Sequence, residues 1–373
     1  MYSLDSYQQF LCRLPSHSQV VCLGTLFSIK GSAYSYLGRR MLVSSSGHTL
    51  GNLSGGCIEN TIINQSKEVI SHREPKILEF NTTEDDDLIF GFNMGCRGII
   101  KVLLQPVDLG KSNGSNSLPL LLTQSSIPVR YAVILAPLPY LGHTFLAKDE
   151  YINTLGHHTI PQELVSIVKA ILAKPIEGSG TVEPFPNTEL LIGTMKPTKK
   201  IKIYGASPCA GILYQLAKIS GFCCEIYDHR QTFIDNFTQN FGQEVSFCYP
   251  DQIRFCSEAN DAWIIMSHNY ELDLKLVSDL DRTPISYLGI VGSKEKYRII
   301  CSTLKEKGQR LNEERIFSPA GLNTGGRSPE EIALSILAEI QTHLSKNKPY
   351  HLRDRDQGGS IQSSKLWDNE AFI

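Results

Sequence analysis

Cys57 follows directly on Ser54-Gly55-Gly56, and this order of residues is suited to thiol chemistry. A helix is predicted over 57–71, which puts Cys57 in its first turn. The positive end of a helix dipole lowers the pKa of a thiol there and favours the thiolate. The backbone N–H groups of the three preceding residues can also converge on an anion, since two of them carry no side chain. A glycine turn that leads a buried cysteine into a helix fits equally well, and both interpretations stay open.

A second cysteine, Cys96, lies between Gly95 and Arg97, just before a predicted apolar strand over 98–107. A neighbouring cation also favours the thiolate. A tight glycine loop without function is the alternative. None of the ten cysteines forms a C-x-x-C motif, which argues against zinc ribbons and thioredoxin-like redox sites. We expect the remaining cysteines, including the adjacent Cys223 and Cys224, to pack as small apolar residues.

Arg39 and Arg40 enter a predicted strand after a glycine. Arginine binds oxyanions through two parallel hydrogen bonds, so the pair is suited to a phosphate or a carboxylate. A solvated basic loop is the competing interpretation.

A glycine loop beginning at Gly205 follows the strand KIKIY, and Asp228 ends the next predicted strand. Both positions match a dinucleotide-binding fingerprint. The loop departs from it at Ser207, where the second glycine belongs, and at Pro208, which removes an N–H group near the helix start. The pattern therefore predicts a Rossmann-like fold and disfavours NAD(P) as a ligand.

His268 ends a strongly apolar predicted strand. The carboxyl ends of parallel strands line the ligand crevice of an open α/β sheet, which makes His268 a candidate binding residue. A structural histidine is the alternative.

The elements that must position these residues fall into two groups. The first part of the chain is predicted to be mixed α/β with mainly non-parallel strands, among them Val20–Ile29 and a hairpin that begins at Arg39. Its helices are predicted over 57–71 and 161–174. Residues 175–200 contain several Pro and Gly residues and are interpreted as a junction between domains.

From residue 201 strands alternate with helices, which predicts a doubly wound parallel sheet. Its last helix opens on a capping box formed by Ser328 and Glu331. The predicted fold class is therefore α/β, with a mixed N-terminal domain and a C-terminal Rossmann-like domain. The expected boundaries are 1–197 for the first domain with its linker, 198–345 for the second, and 346–373 for a polar tail.

Composition excludes several classes of protein. The chain has 373 residues, 41% of them hydrophobic, with a formal net charge of −2. The absence of a basic excess argues against nucleic acid and anionic membrane surfaces as partners. No apolar run approaches the roughly 20 residues of a membrane-spanning helix. The first residues lack the pattern of a signal peptide, so we expect a cytoplasmic protein.

Several segments, taken together and in order, resemble the XdhC/CoxI family of xanthine dehydrogenase accessory proteins. They include GSAYSYLGRRM, GGCIE, GCRG, MSHNYELD and SPEEIALSILAEI, and they extend over most of the chain. In this resemblance Cys57 and Cys96 match the family's two glycine-flanked cysteines, and Arg40-Met41 matches its Arg-Met pair. Gly205-Ala206-Ser207-Pro208 departs from the family's Gly-Ala-Gly-His loop.

The resemblance implies a protein that binds molybdenum cofactor (molybdopterin), supports its sulfuration with a cysteine desulfurase, and passes it to a xanthine dehydrogenase-type molybdoenzyme. Soft thiolates suit such a metal centre, so Cys57 and Cys96 are candidate molybdenum ligands. Ser54, Gly55, Gly56 and Arg40 are candidates for the pterin phosphate. Gly205, Asp228 and His268 are candidate cofactor contacts in the second domain. A homodimer is expected because the last helix is apolar around much of its circumference.

Two other functions remain open on the sequence. One is an NAD(P)-dependent oxidoreductase that acts on a small molecule, with His268 as its acid or base. The other is a scaffold that only binds a partner dehydrogenase. The oxidoreductase function assigns no role to the glycine-flanked cysteines. A non-catalytic cofactor chaperone is therefore the leading interpretation.

Overall fold

The computed structural model describes residues 4–14, 19–31, 36–56, 58–81, 98–110, 121–122, 127–149, 151–156, 159–259 and 261–351. The chain divides into two compact units and passes from the first to the second between Pro197 and Thr198. No helix in the described ranges is long and apolar enough to cross a membrane.

The first unit contains a five-stranded antiparallel sheet in the order β3-β2-β1-β5-β4. Its strands are β1 Val20–Gly31, β2 Arg40–Val43, β3 Thr49–Leu50, β4 Lys76–Asn81 and β5 Gly98–Asp108. Helix α1 is Leu4–Cys12, and α2, Glu59–His72, packs on the sheet through Ile62 and Val69. Strand β1 is the middle strand of this sheet, so both of its faces are covered. Neighbouring residues point to opposite faces: Cys22 packs in the cluster that includes α2, and Leu23 packs in the cluster on the other face.

A second antiparallel sheet of the same unit has the order β8-β7-β6-β10-β9. Its strands are β6 Val129–Ala136, β7 Thr144–Lys148, β8 Tyr151–Leu155, β9 Ser179–Phe185 and β10 Thr188–Met195. Helix α3, Gln162–Ala173, covers one face through Leu164 and Val168. The other face shares a buried core with the first sheet, to which Tyr131 and Leu103 both contribute.

Part of this unit differs from the sequence prediction. Residues 175–200, interpreted as a junction, contain the β9–β10 hairpin. Its two-residue turn places Asn187 at φ +63°, a conformation that asparagine tolerates. Strands β7 and β8 are also additional to the predicted elements.

The second unit is built on a six-stranded, wholly parallel sheet in the order β13-β12-β11-β14-β15-β16. Its strands are β11 Lys200–Tyr204, β12 Cys223–Asp228, β13 Ser246–Phe247, β14 Ala262–Ile265, β15 Tyr287–Ile290 and β16 Ile316–Phe317. The strand order reverses direction between β11 and β14, as it does in dinucleotide-binding folds.

Helices cover both faces of this sheet. They are α4 Pro208–Ile219, α5 Gln231–Phe241, α6 Tyr270–Leu280, α7 Lys294–Glu306 and α8 Pro329–Leu344. Helices α4, α5 and α8 bury residues in one core, and α6 and α7 bury residues in the other. The capping box predicted at Ser328 and Glu331 is present. This architecture confirms the predicted fold class of a mixed α/β domain followed by a Rossmann-like domain.

Candidate functional site

The two cysteines on which the sequence interpretation rests, Cys57 and Cys96, lie outside the described residues. What the structure shows is the chain on either side of Cys57, and β5, which begins at Gly98. Helix α2 begins at Glu59, two residues later than predicted, so Cys57 precedes its first turn in the sequence. The cap residue Ile58 makes no side-chain hydrogen bond to the helix.

Gly55 and Gly56 form the exposed tip of the loop of residues 51–56, the 51–56 loop, which precedes Cys57 in the chain. A Cβ atom built on either glycine meets no atom within 4 Å, and Gly56 has φ +116°. Leu53 before the tip and Ile58 after it are both buried in the α2 core. The loop is therefore anchored at both ends and open at its tip, where a ligand can approach the backbone closely.

Glu59 determines the shape of this loop. Its carboxylate accepts a hydrogen bond from the Ser54 backbone N–H at 2.7 Å and one from the Ser54 hydroxyl at 2.6 Å. The Gly56 N–H donates to the Ser54 hydroxyl oxygen at 3.2 Å. Two of the backbone donors that the sequence interpretation assigned to an anion thus already have acceptors in the protein, one in α2 and one in the loop.

Two opposing effects act on the pKa of Glu59. Burial acts to raise this pKa, but the hydrogen bonds from the Ser54 hydroxyl and amide outweigh it and hold the pKa below its ordinary value. Glu59 is therefore a carboxylate at neutral pH, and its negative charge lies in the first turn of α2. That charge opposes a second anion at Ser54.

The two neighbouring arginines occupy different environments. Arg40 is 7% exposed, its guanidinium lies 4.2 Å from the centre of the Tyr131 ring, and its Nη1 atom lies 3.5 Å from the sulfur of Met195. Arg39 is half-buried and donates a hydrogen bond to the Asn52 side chain. Arg39 thus lies at the surface beside the 51–56 loop, whereas Arg40 packs inside the unit.

In the second unit, the carboxyl ends of β11 and β14 approach each other very closely at Gly205. This residue has φ +115°, and a Cβ atom on it would lie 2.5 Å from the carbonyl oxygen of Met266. Only glycine fits a backbone with this conformation and this neighbour. The predicted requirement for a glycine at this turn is explained by chain packing without any ligand.

The loop after Gly205 directs its donors inward. The Ala206 N–H donates to Asp228, the Ser207 N–H to the Gly205 carbonyl, and the Ala210 N–H to the Ser207 hydroxyl that caps α4. Pro208 occupies the first position of the helix and has no N–H. A diphosphate at this helix start would find few available amides.

Asp228 is fully buried and its two oxygens are occupied. They accept hydrogen bonds from the backbone of Ala206, His229 and Arg230 and a bidentate pair from the Arg230 guanidinium. Burial acts to raise the pKa of Asp228, but these hydrogen bonds, led by Arg230, hold it below its ordinary value. The carboxylate ties the ends of β11 and β12 together and has no exposed surface for a ribose.

His268 lies at the same edge of the sheet, exposed and at φ +58° after β14. Beneath it, Ser267 and Asp273 are buried, and Asp273 accepts a hydrogen bond from Ser267 and forms an ion pair with Lys296. This ion pair, which the sequence interpretation missed, joins α6 to α7. Neither MSHNYELD nor GSKEK alone indicates that Asp273 and Lys296 meet, because the contact depends on the parallel order of β14 and β15.

The predicted residues therefore form two groups. Ser54, Gly55 and Gly56 share one loop of the first unit, while Gly205, Asp228 and His268 share the carboxyl edge of the second unit's sheet. Within the described ranges, no group of three or more His, Cys, Asp or Glu residues is arranged to hold a metal ion. The contribution of each predicted residue to cofactor binding stays a prediction.

Comparison with known proteins identifies relatives over most of the chain. One, from Bacillus subtilis (strain 168), is named as a probable subunit of xanthine dehydrogenase and is 24% identical over 90% of this chain and 97% of its own length. Another is the "molybdenum cofactor insertion chaperone PaoD" of Escherichia coli (strain K12), 22% identical over 85% of this chain and 81% of its own length. A crystal structure from Bacillus halodurans, described as a xanthine dehydrogenase, has the same fold. Its TM-score is 0.71 at 24% identity, and the similarity covers 97% of this chain and 98% of that one.

Two family models match separate parts of the chain. The model of the XdhC and CoxI family matches residues 16–81, which include the 51–56 loop, and the model of the XdhC Rossmann domain matches residues 201–340. Together they extend over more than half of the chain and include both units. These matches, together with the relatives above, confirm the resemblance that the motifs indicate: the chain belongs to the XdhC/CoxI family.

Proposed function

We propose that this protein binds molybdenum cofactor as a cargo and delivers it to a xanthine dehydrogenase-type molybdoenzyme. The observation that carries the proposal is family membership over both units, with a relative named as a molybdenum cofactor insertion chaperone along 85% of the chain. The cargo is a substrate of the protein, held and then released.

The geometry of the first unit is compatible with such a cargo. Gly55 and Gly56 are exposed and have free space around them, so a bulky pterin can approach the backbone next to Cys57. Thiolates of Cys57 and Cys96 are soft ligands suited to molybdenum. Arg39, at the surface beside Asn52, is better situated than the buried Arg40 to attract the phosphate of the pterin.

The finer part of the proposal concerns sulfur. We propose that the protein supports exchange of a terminal oxo ligand for a sulfido ligand, with a cysteine desulfurase as sulfur donor, and that it acts as a homodimer. Family resemblance motivates the sulfur exchange, and the apolar circumference of the last helix, α8, motivates the homodimer. The free space around Gly55 and Gly56 leaves room for a second protein that donates sulfur to approach this loop.

The oxidoreductase alternative finds less support in the second unit. The amides of Ala206, Ser207 and Ala210 have acceptors inside the protein. The buried carboxylate of Asp228 accepts a hydrogen bond from the Arg230 guanidinium. A nicotinamide dinucleotide needs free amides for its diphosphate and a free carboxylate for its ribose. The same arrangement disfavours NAD(P) as a resident ligand.

The test is binding of isolated molybdenum cofactor by the purified full-length protein and its Cys57→Ala and Cys96→Ala variants. Bound cofactor is measured by pterin absorbance and molybdenum content after gel filtration. Both variants are expected to lose at least tenfold in affinity, because each removes a candidate soft ligand. Cys12→Ala is the matched control, since Cys12 is an exposed cysteine of the same unit outside the glycine motifs.

Transfer to a cofactor-free xanthine dehydrogenase-type enzyme, measured as recovered activity, then separates binding from delivery. Unchanged stoichiometry and affinity in both cysteine variants would rule out the two-thiolate site. No cofactor binding by the unaltered protein, together with fluorescence transfer from added NADH, would favour the oxidoreductase instead.

A further inference from the structure

A pair of cysteines in the second unit lies close enough for a covalent bond. Cys248 follows the edge strand β13, and Cys256 ends a short 3₁₀ helix, Pro250–Cys256. Their sulfur atoms are 3.6 Å apart. The S–S bond of a disulfide is about 2.0 Å long, so oxidation has to bring the two sulfur atoms closer together by about 1.6 Å.

Two side chains of β11 hold the backbone of this pair in place. The Tyr204 hydroxyl donates to the Cys248 carbonyl oxygen at 2.9 Å, and the Lys202 ammonium donates to the Cys256 carbonyl oxygen at 2.5 Å. Both residues point to the same face of the sheet because they are two apart in one strand. The two cysteines therefore stay side by side while the sheet is folded.

The Lys202 side chain, which donates to the Cys256 carbonyl oxygen, is held in a fixed position. Its side chain is 2% exposed, and its ammonium forms an ion pair with Asp261 at 2.8 Å. A buried charge with a buried partner is costly to move, so the carbonyl of Cys256 has a fixed donor. Ile253, in the middle of the 3₁₀ helix, is fully buried and fixes the segment between the two cysteines.

The two thiols differ in accessibility. Cys248 is 3% exposed, and burial, followed by the neighbouring Cys256, raises its pKa to about 12. Cys256 is only half-buried. An external oxidant is therefore expected to meet Cys256 first, with Cys248 behind it as the resolving thiol.

We propose that Cys248 and Cys256 form a reversible disulfide when the protein meets a small disulfide oxidant such as oxidised glutathione. The inference does not depend on the proposed function. First, the Cys256 thiolate attacks the oxidant, forms a mixed disulfide and releases one glutathione thiolate. Cys248 then gives up its proton and attacks the Cys256 sulfur, which releases the second glutathione. The two cysteines lose two electrons and two protons, and the glutathione disulfide is reduced to two thiols.

The experiment uses the full-length reduced protein, treated under native conditions with oxidised glutathione, blocked with iodoacetamide and digested with trypsin. Cleavage after Arg254 places Cys248 in peptide 231–254 and Cys256 in peptide 255–275. The expected product is these two peptides joined, at their summed mass less two hydrogen atoms, and it disappears on reduction. The number of titratable thiols is expected to fall by two from the ten of the reduced chain.

The chain supplies its own control. Cys223 and Cys224 are adjacent in β12 and remain together in peptide 219–230. Neighbouring residues of a strand direct their side chains to opposite faces, so this peptide is expected to stay fully alkylated. Cys223→Ser is expected to keep the joined peptides, and Cys256→Ser to lose them.

Three results would overturn the proposal, and each is measured on the protein without any substitution. One is complete alkylation of both Cys248 and Cys256 after treatment. A second is glutathione that remains attached to Cys256 without any joined peptide. A third is a link that forms only after unfolding in urea, since the proposal rests on the folded positions of the two sulfurs.

Discussion

Glu59 shapes the 51–56 loop because both oxygens of its carboxylate accept hydrogen bonds from Ser54. Residue types alone indicate that Ser54, Gly55 and Gly56 form a tight, open turn, and the exposed glycines agree with this. Residue types do not indicate which group accepts the hydrogen bond from the Ser54 N–H. That depends on where α2 begins, and the helix starts two residues later than its apolar periodicity predicts.

Replacement of Glu59 by glutamine is expected to destabilise the protein by about 1 kcal/mol near pH 7. The reason is the loss of charge-assisted hydrogen bonds to Ser54, reduced by partial exposure of the loop. The folded pKa of Glu59 is lowered, so its stabilisation is present above the unfolded value of about 4.3 and is lost as the pH falls through the folded pKa. Urea unfolding, followed by circular dichroism at neutral and acid pH, measures both effects.

The matched control for this prediction is Glu74→Gln, because Glu74 is an exposed glutamate just after α2. It is expected to leave stability unchanged at both pH values. A Glu59→Gln variant that is equally destabilised at neutral pH and at a pH well below 4 would contradict the assigned role of the carboxylate.

At the level of elements, the parallel sheet is predictable and the second antiparallel sheet is much less so. Strands such as β14 are covered on both faces and therefore appear as unbroken apolar runs. Strand β9 is partly exposed and contains a proline. Its composition therefore does not distinguish it from the Pro and Gly residues around it in 175–200. The sequence feature that indicates this hairpin is Pro186-Asn187 between two runs of β-forming residues. In the structure these two residues form the turn, with Asn187 at positive φ.

The contact between β11 and β14 predicts that Gly205→Ala is strongly destabilising. The added Cβ atom meets the Met266 carbonyl at 2.5 Å, and the backbone at φ +115° is strained for alanine. Together these costs amount to about 3 kcal/mol or more. Gly221→Ala is the control, since Gly221 also has positive φ, +83°, but no atom lies within 4 Å of its Cβ position.

The control is expected to cost only about 1–2 kcal/mol, which is the penalty of the left-handed backbone alone. Chemical denaturation of both variants measures the difference. Equal losses of stability would mean that the close approach of the two strand ends makes no contribution. A normal cofactor-binding stoichiometry in a folded Gly205→Ala protein would further show that this glycine serves packing rather than a ligand.

For the whole molecule, the buried clusters follow the division into two units. Every cluster of the first unit draws its members from residues before Pro197, and both clusters of the second unit draw theirs from residues after Thr198. The predicted binding residues are divided in the same way, with the glycine-flanked cysteines in the first part of the chain and His268 in the second. The sequence predicts this division because strands alternate regularly with helices only from residue 201 onward.

Since no buried cluster of described residues combines members from both units, a fragment of residues 198–351 is expected to fold by itself. A chain of about 150 residues buries roughly 68–70% of its unfolded surface, enough for an independent core. Circular dichroism and a cooperative urea transition, with the fluorescence of the buried Trp263 as probe, measure folding. A control fragment of residues 223–351 lacks β11 and α4, which supply the centre of the sheet and part of one core, and is expected to show no cooperative transition. If 198–351 also fails to unfold cooperatively, the second unit requires the first for its stability, and the two are one folding unit.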